Sequence, residues 1–213
     1  MVTGEAHSIK ESGTRRVVGA VHARTVFARR LRVLSSAISE VLAEGAQVLD
    51  VGCGSGELAS ALIAIKPGLQ VEGVDVLVRP NTAIPVRKYD GEHLPFPDQA
   101  FDYAMLVDVL HHTDDPASLL AEVSRVARHV VIKDHYRNGF LAGLRLRIMD
   151  WVGNAPHGVR LPYNYLSRDE WAALWRAAGL RIDRRSEALK LYPFPADWIF
   201  GRGLHFVAKL SKP

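Results

Sequence analysis

The stretch Val48-Leu49-Asp50-Val51-Gly52-Cys53-Gly54-Ser55-Gly56-Glu57-Leu58-Ala59 sets the fold of this chain. Its first four residues, apolar but for one acid, have the pattern of a buried strand. Three glycines then recur at every second position, and Leu58, Leu62, Ile63 and Ile65 begin a helical period. The unit is therefore strand, glycine turn, helix. Glycine lets a backbone take positive φ and lets a ligand approach it without a Cβ in the way. The helix start adds unpaired N–H groups facing the same space.

Two phosphate-binding readings of this turn fail. A dinucleotide fingerprint needs G-x-G-x-x-G, and the position of its third glycine holds Glu57. A P-loop needs Gly-Lys-Ser/Thr, which does not follow. The pattern Asp50-x-Gly52-x-Gly54-x-Gly56 instead resembles motif I of the class I S-adenosylmethionine-dependent methyltransferases, of the small-molecule, domain-11-like type. Their ligand has no phosphate and carries a sulfonium, so an acidic neighbour is tolerable. Further along, Val71 to Val76 reads as a second strand whose Asp75 suits the ribose hydroxyls. Tyr89-Asp90-Gly91-Glu92-His93-Leu94-Pro95-Phe96-Pro97-Asp98, then Phe101-Asp102, resembles the family segment in which the first acid meets the adenine. Val107-Asp108-Val109-Leu110-His111-His112, followed by Asp115-Pro116, resembles its fourth strand and loop.

The resemblance implies an α/β, Rossmann-like fold: a seven-stranded, mostly parallel sheet with an antiparallel last strand and helices on both faces. It implies S-adenosyl-L-methionine as cofactor and S-adenosyl-L-homocysteine as product. The cofactor-binding positions it implies are Asp50, Gly52, Cys53, Gly54, Gly56, Asp75, Val76, Asp90, Gly91, Val107 and Asp108.

The 213 residues, 48% hydrophobic and 23% charged, suit one globular domain spanning 1–213. Residues 13–44 read as an N-terminal helical segment, 46–134 as the cofactor-binding half, and 135–213 as an acceptor lid with the last strands. In the first segment Phe27, Leu31, Leu34, Ile38 and Val41 share one helix face. Arg15, Arg16, Arg24, Arg29, Arg30 and Arg32 make it basic, which reads as a solvated face rather than a nucleic-acid arm, since aromatics are sparse. The net charge of +4 does not point to a polyanionic partner. The single cysteine, Cys53, excludes an internal disulfide and suits a reducing, cytoplasmic setting. No apolar run approaches the ~20 residues of a membrane span.

The linker Leu77 to Pro85 is nine residues long and contains two prolines. Parallel crossovers usually need a dozen or more residues. The helix between strands two and three is therefore expected to be missing, with Arg79-Pro80-Asn81 near the adenine. Strands are expected at Val86–Tyr89, Phe101–Val107, His129–Lys133, Leu180–Glu187 and Leu204–Leu210. Helices are expected from Pro116 to Ala127, capped by Asp114 or Asp115, and from a Ser167–Glu170 capping box to Ala178.

Acceptor chemistry is assigned to the second half. Phe140 to Val152 is amphipathic, with Phe140, Leu141, Leu144, Ile148, Trp151 and Val152 near one face. With the loop 153–165 it reads as a lid over the carboxyl ends of the strands, where open α/β sheets bind ligands. The candidate bases are Asp134, His135, His111, His112 and His157, with Asp134 and His135, which close strand five, preferred. His111, His157, Tyr163 and Tyr165 are candidate substrate contacts, although His111 and His112 fall in a loop that the family shares across many acceptors. No H-x-x-x-H or C-x-x-C pair marks a metal, and none is expected. The residues favour a small organic acceptor. Leu191 to Phe200 adds aromatic residues that suit core packing, an apolar acceptor or a peripheral membrane contact. A nucleic-acid methyltransferase is disfavoured, because Asp108-Val109-Leu110-His111 stands where an Asn/Asp-Pro-Pro-Tyr motif would be. A non-catalytic S-adenosylmethionine-binding module is the remaining alternative. The acceptor, its attacked atom and the oligomeric state stay open.

Overall fold

The computed structural model describes residues 25–154, 163–201 and 203–213. Helix α1 covers residues 25–39. There follow β1 (Gln47–Val51), α2 (Glu57–Ile65), β2 (Gln70–Asp75), β3 (Val86–Lys88), β4 (Phe101–Val107), a 3-10 turn (Leu110–His112), α3 (Pro116–Val126) and β5 (Ala127–His135). The chain continues with α4 (Ala142–Asn154), α5 (Arg168–Ala177), β6 (Arg181–Ser186), α6 (Ala196–Phe200) and β7 (His205–Ser211).

The strands form one sheet in the order β3-β2-β1-β4-β5-β7-β6. Pairings from β3 to β5 are parallel, whereas β7 runs antiparallel to both β5 and β6. Strand side chains alternate between faces, and β1 divides accordingly. Leu49 and Val51 join a core with α3 and α5 through Leu120, Val123, Trp171 and Trp175. Val48 joins the other core, with α1 and α2 through Leu34, Ile38 and Leu62. Asp50 stays buried in the sheet, opposite Gly73 and Met105.

Local chemistry explains the boundaries. Asp115 caps α3 by accepting from Ala117 N–H and Ser118 N–H, both at 3.0 Å. The Ser167–Glu170 capping box forms in both directions, and Gly179 ends the turn after α5 with φ +66°. The β2–β3 linker contains no helix. Its course is fixed by Ala83 N–H donating to Ser55 O at 2.8 Å and Gly73 N–H to Pro85 O at 2.9 Å. Ile84, 6% exposed, fills part of the space that a crossover helix would cover.

Three expectations need correction. The N-terminal helix ends at residue 39 and does not reach Glu44. Strand β5 runs on to His135, so Asp134 and His135 lie within the sheet, paired with Phe206 and His205 of β7. Antiparallel pairing with β7 supplies partners for two more residues than the apolar run suggested. Helix α4 rests on Ala142 and Leu146, and leaves Phe140, Leu141, Leu144 and Ile148 exposed. The side chains of Trp151 and Val152 lie outside the described residues.

The turn after β1 tolerates little. Gly56 has φ +78°, and a Cβ there would lie 2.6 Å from Ile84 Cγ1. Gly45 has φ +68°, with nothing within 4 Å of its Cβ position. Gly45→Ala is expected to cost only the left-handed strain, about 1–2 kcal/mol. Gly56→Ala is expected to cost a further ~1–3 kcal/mol for overpacking. Urea denaturation compares the two; equal losses would mean that Ile84 moves aside freely.

Candidate active site

The glycine turn opens at the carboxyl end of β1. Gly52 and Cys53 both donate their N–H to Val74 O, at 2.8 and 3.3 Å, which folds the turn against β2. Gly54 N–H donates to Asp75 Oδ2 at 2.8 Å, and Leu77 N–H to Asp75 Oδ1 at 2.9 Å. Asp75, closing β2, is thereby aimed along the turn. A Cβ on Gly54 would meet only the guanidinium of Arg79, at 3.7 Å, so the open side of the cradle is at Gly54. The exposed Val76 and Leu77 form an apolar rim, and Val76 lies 3.4 Å from a Cβ position on Gly91. This combination of a bare backbone, a carboxylate and an apolar rim fits the amino-acid, ribose and base portions of a nucleoside sulfonium.

Asp90 lies on the same side as an exposed turn residue. Its Oδ1 accepts from Glu92 N–H and His93 N–H at 2.8 and 2.7 Å. Those two bonds, with the His93 side chain, hold its carboxyl down at about 2. Cys53 is no nucleophile. Burial, then the carboxylates of Asp50 and Asp75, push its thiol up to about 12, and thiol reactivity needs the thiolate. Asp50 itself is pushed up to about 8, by burial first and by Asp75 second.

A second group of polar side chains lies beyond β4, where the strand ends at Val107 and Asp108 takes φ +58°. Asp108 receives ion pairs from Arg30 of α1 and from Lys133 of β5. Lys133 is fully buried. Burial works against ionisation of Asp108, but the two cations outweigh it and hold the carboxyl well below its usual range. Burial lowers Lys133 to about 8, against the pull of Asp108.

Asp134 is the centre of the next layer. Its Oδ1 faces His111 Nδ1 at 2.7 Å, His135 Nδ1 at 3.1 Å and His135 N–H at 2.8 Å. Burial raises its pKa, but the two imidazoles prevail and keep it ionised. An ionised carboxylate only accepts, so both imidazoles are inferred to carry their proton on Nδ1. His135, held well below the ordinary histidine value, then has its lone pair on Nε2. His135 Nε2 lies 3.5 Å from Asp108 Oδ1, and in that tautomer no proton lies between them to make a hydrogen bond. Burial, then Lys133, keeps His135 and His205 well below the ordinary histidine value. Tyr165 stacks on His111 with ring centroids 5.4 Å apart, and Asn164 ties that segment to the 3-10 turn by donating to His111 O and Thr113 O. Tyr163, with φ +59°, lies under Arg147, whose guanidinium is 5.5 Å from the ring centroid.

Beside Tyr165 runs an open groove of about 590 Å³, lined among others by Asp114, Arg137, Leu144, Arg147 and Tyr163. The structure thus brings Asp134, His135, His111 and Tyr165 together, while His157 lies outside the described residues. Sequence reading undervalued His111, assigned Arg30 to a solvated face although it turns inward to Asp108, and did not single out Lys133 or His205. The available signal was a lysine, an acid and a histidine closing an otherwise apolar strand, since such groups need partners inside. Asp108, His111, Asp134 and His135 also offer possible metal-ligand atoms all within 4.8 Å of one another. Motif spacing could not reveal that group, because it is assembled from two separate stretches, 108–111 and 134–135. Arg30 and Lys133 already balance Asp108 without a dication.

The sheet order, the glycine turn and the acid closing β2 define the class I S-adenosylmethionine-dependent methyltransferase fold. A model of the family described as "Methyltransferase domain" matches residues 22–184, and the chain belongs to that family. S-adenosylmethionine is its cofactor. Among curated proteins it is 33% identical over 130 residues to the bifunctional methionine biosynthesis protein MetXA/MetW of Rhodopirellula baltica, covering 50% of this chain and 21% of that protein. It is 27% identical over 143 residues to the ubiquinone/menaquinone biosynthesis C-methyltransferase UbiE of Cupriavidus metallidurans, covering 58% and 59%. It is 29% identical over 174 residues to the 27-O-demethylrifamycin SV methyltransferase of Amycolatopsis mediterranei, covering 73% and 61%. The chain therefore spans less than two thirds of each of these relatives. A solved S-adenosylmethionine-dependent methyltransferase from Thermotoga maritima shares the fold with a TM-score of 0.62 at 21% identity, over 93% of this chain and 97% of that one.

The buried Asp50 gives a pH signature. An unfolded aspartate loses its proton near pH 3.9, whereas the folded one keeps it to about 8. Between those values unfolding releases a proton, so this group's contribution to stability is complete below the unfolded pKa and falls as pH rises toward 8. Asn in its place has no proton to lose. The melting temperature of Asp50→Asn relative to the native chain is expected to rise from pH 5 to pH 8. A constant difference across that range would show that Asp50 is ionised throughout.

Proposed function

We propose that this protein methylates a small, largely apolar organic acceptor that enters by the groove beside Tyr165, with His111 as the base. Gly52, Gly54, Gly56, Asp75, Asp90 and the neighbouring Val76 and Gly91 would hold the cofactor. Asp50, Cys53, Val107 and Asp108 would border its methionine part. When bound, S-adenosylmethionine supplies a methyl group on a good leaving group, so the protein's task is alignment and proton removal. The observation that carries the reading is the buried Asp134–His111 hydrogen bond beside Tyr165. Asp134 would fix the His111 tautomer and stabilise the imidazolium formed when Nε2 takes the acceptor proton. Tyr165 lines the groove and covers His111, so its ring would move aside to admit the acceptor. The small-molecule class draws support from the relatives, whose names speak of ubiquinone, menaquinone and rifamycin. His135, held by the same Asp134 oxygen, is the second candidate base, but it lies among Lys133, Asp108 and His205 rather than at the groove.

The acceptor can be sought by incubating the protein with trideuteromethyl S-adenosylmethionine and fractionated extract, reading labelled products by mass. With it in hand, His111→Ala and Asp134→Asn are expected to lose about 10²–10⁴-fold in turnover and keep their calorimetric affinity for S-adenosylhomocysteine. Asp75→Ala should do the reverse, losing on the order of 1.5–3 kcal/mol of cofactor binding. Loss of turnover in His135→Ala, with His111→Ala unaffected, would move the base to His135. Exhaustive chelation is expected to leave turnover unchanged. A loss reversed by an added divalent ion would make Asp108, His111 and His135 ligands instead.

A further inference from the structure

The stretch between β3 and β4 carries Asp90, the proposed adenine contact, yet residues 89–100 contain neither helix nor strand. Strand pairing cannot fix their course, so side chains must. The entry is held by Tyr89 N–H, which donates to Asp75 O at 3.2 Å. Asp90 then shapes its own turn through Glu92 N–H, His93 N–H and the His93 ring. A carboxylate has about four lone-pair sites, so these three bonds leave about one for a ligand. The amino group of a base is a donor that can fill it. A single site selects that donor only if the turn is held in one place.

The exit of the turn is held from α3, by one ion pair. Leu94, 3% exposed, is gripped at both of its main-chain groups. Its N–H donates to Glu122 Oε1 at 2.9 Å, and its O accepts from Arg125 Nη2 at 3.2 Å. Arg125 Nη1 donates to Phe96 O at 2.9 Å and to Asp98 Oδ1 at 2.8 Å. Arg125 Nε and Nη2 donate to the two oxygens of Glu122 at 2.9 and 2.7 Å. A guanidinium has five N–H donors in a rigid planar fork, and here each has an acceptor. Three of those acceptors lie on Leu94, Phe96 and Asp98, so one plane sets the path of the chain as it leaves the turn.

We infer that Arg125, backed by Glu122, is a positioning residue that sets the enzyme's choice of an amino-bearing base in its cofactor. It holds the exit of the Asp90 turn, and the remaining Asp90 site then meets the amino group of adenine. With every donor committed, Arg125 has none left for the cofactor and acts through the turn alone. A turn not held in advance would have to be ordered by the ligand, at a cost in affinity. The inference rests on the assignment of Asp90 to the adenine under the function proposed above. It adds a residue of α3, more than thirty positions away in the chain, that no motif places at the cofactor.

The test compares two ligands by calorimetry: S-adenosylhomocysteine, and S-inosylhomocysteine, in which an oxygen replaces the amino group. The native chain is expected to prefer the first by about tenfold or more, as for a hydrogen bond to a charged group. Asp90→Asn keeps an oxygen for the turn but can donate to the analogue, and is expected to lose that preference. Arg125→Gln is expected to reduce the preference to about twofold or less, by weakening S-adenosylhomocysteine far more than the analogue. Arg125→Lys keeps the charge without the fork. It is expected to lose the preference as well, and it stands in if the glutamine variant does not fold. General damage to the structure would weaken both ligands equally; a preference that survives in the Arg125 variants while Asp90→Asn loses it overturns the proposal and leaves Asp90 in its role. A preference absent from the native chain, or untouched in Asp90→Asn, removes the adenine assignment of Asp90 and the proposal with it.

Discussion

A lysine with no exposed surface stands in the middle of this sheet. Lys133 is on β5, between β4 and β7, and its ammonium meets Asp108 at the end of β4. Losing one partner of a buried ion pair typically costs about 3–5 kcal/mol, because the other charge is left stranded. The pair therefore constrains several elements together. Asp108 reaches Lys133 from a backbone with φ +58°. Arg30 brings α1 onto the same carboxylate. Asp108 N–H also donates to Lys133 O at 2.8 Å, so main chain and side chain make the same connection. The end of β4, the end of β5 and the N-terminal helix are held at one point, beside the glycine turn.

Much of the fold was legible because its signals are local. The strand–turn–helix at Val48 to Ile65, strand β4, the Asp115 cap and the Ser167 capping box each arise from residues a few positions apart. The missing crossover helix could be read from length and proline alone. Strand ends were less legible: β5 gained Asp134 and His135 through pairing with β7, and no periodicity reports a partner about 70 residues away. Helix α4 failed for a different reason. Its apolar residues occupy two faces, so the pattern identified an amphipathic helix without saying which face the core takes. Ala142 and Leu146 are buried, whereas a Cβ at Gly143 would meet nothing within 4 Å.

The cofactor side was readable for similar reasons. Gly52, Gly54 and Gly56 lie in one turn, and Asp75 closes the adjacent strand. The acceptor side was not, because Arg30, Asp108, His111, Lys133, Asp134, His135 and His205 come from α1, β4, the 3-10 turn, β5 and β7. Only the fold brings them together. Adjacent histidines in a loop, His111 and His112, looked unspecific. Burial and a 2.7 Å contact with Asp134 distinguish the first of them.

Charge balance explains why His135 and His205 stay neutral. The cluster has two cations, Arg30 and Lys133, and two carboxylates held ionised, Asp108 and Asp134. A protonated histidine would add an unbalanced buried charge, which burial and Lys133 both oppose at His135 and His205. Neutral imidazole is therefore the resting state there, and Asp134 sets its tautomer. Removing Lys133 would upset this in two ways. It would leave Asp108 with Arg30 alone, and it would ease protonation of His135, whose Nε2 lies 3.5 Å from Asp108 Oδ1. A buried lysine thus helps to keep His135 and His205 neutral. The same cation that anchors α1 and β4 through Asp108 therefore opposes a further buried positive charge beside it.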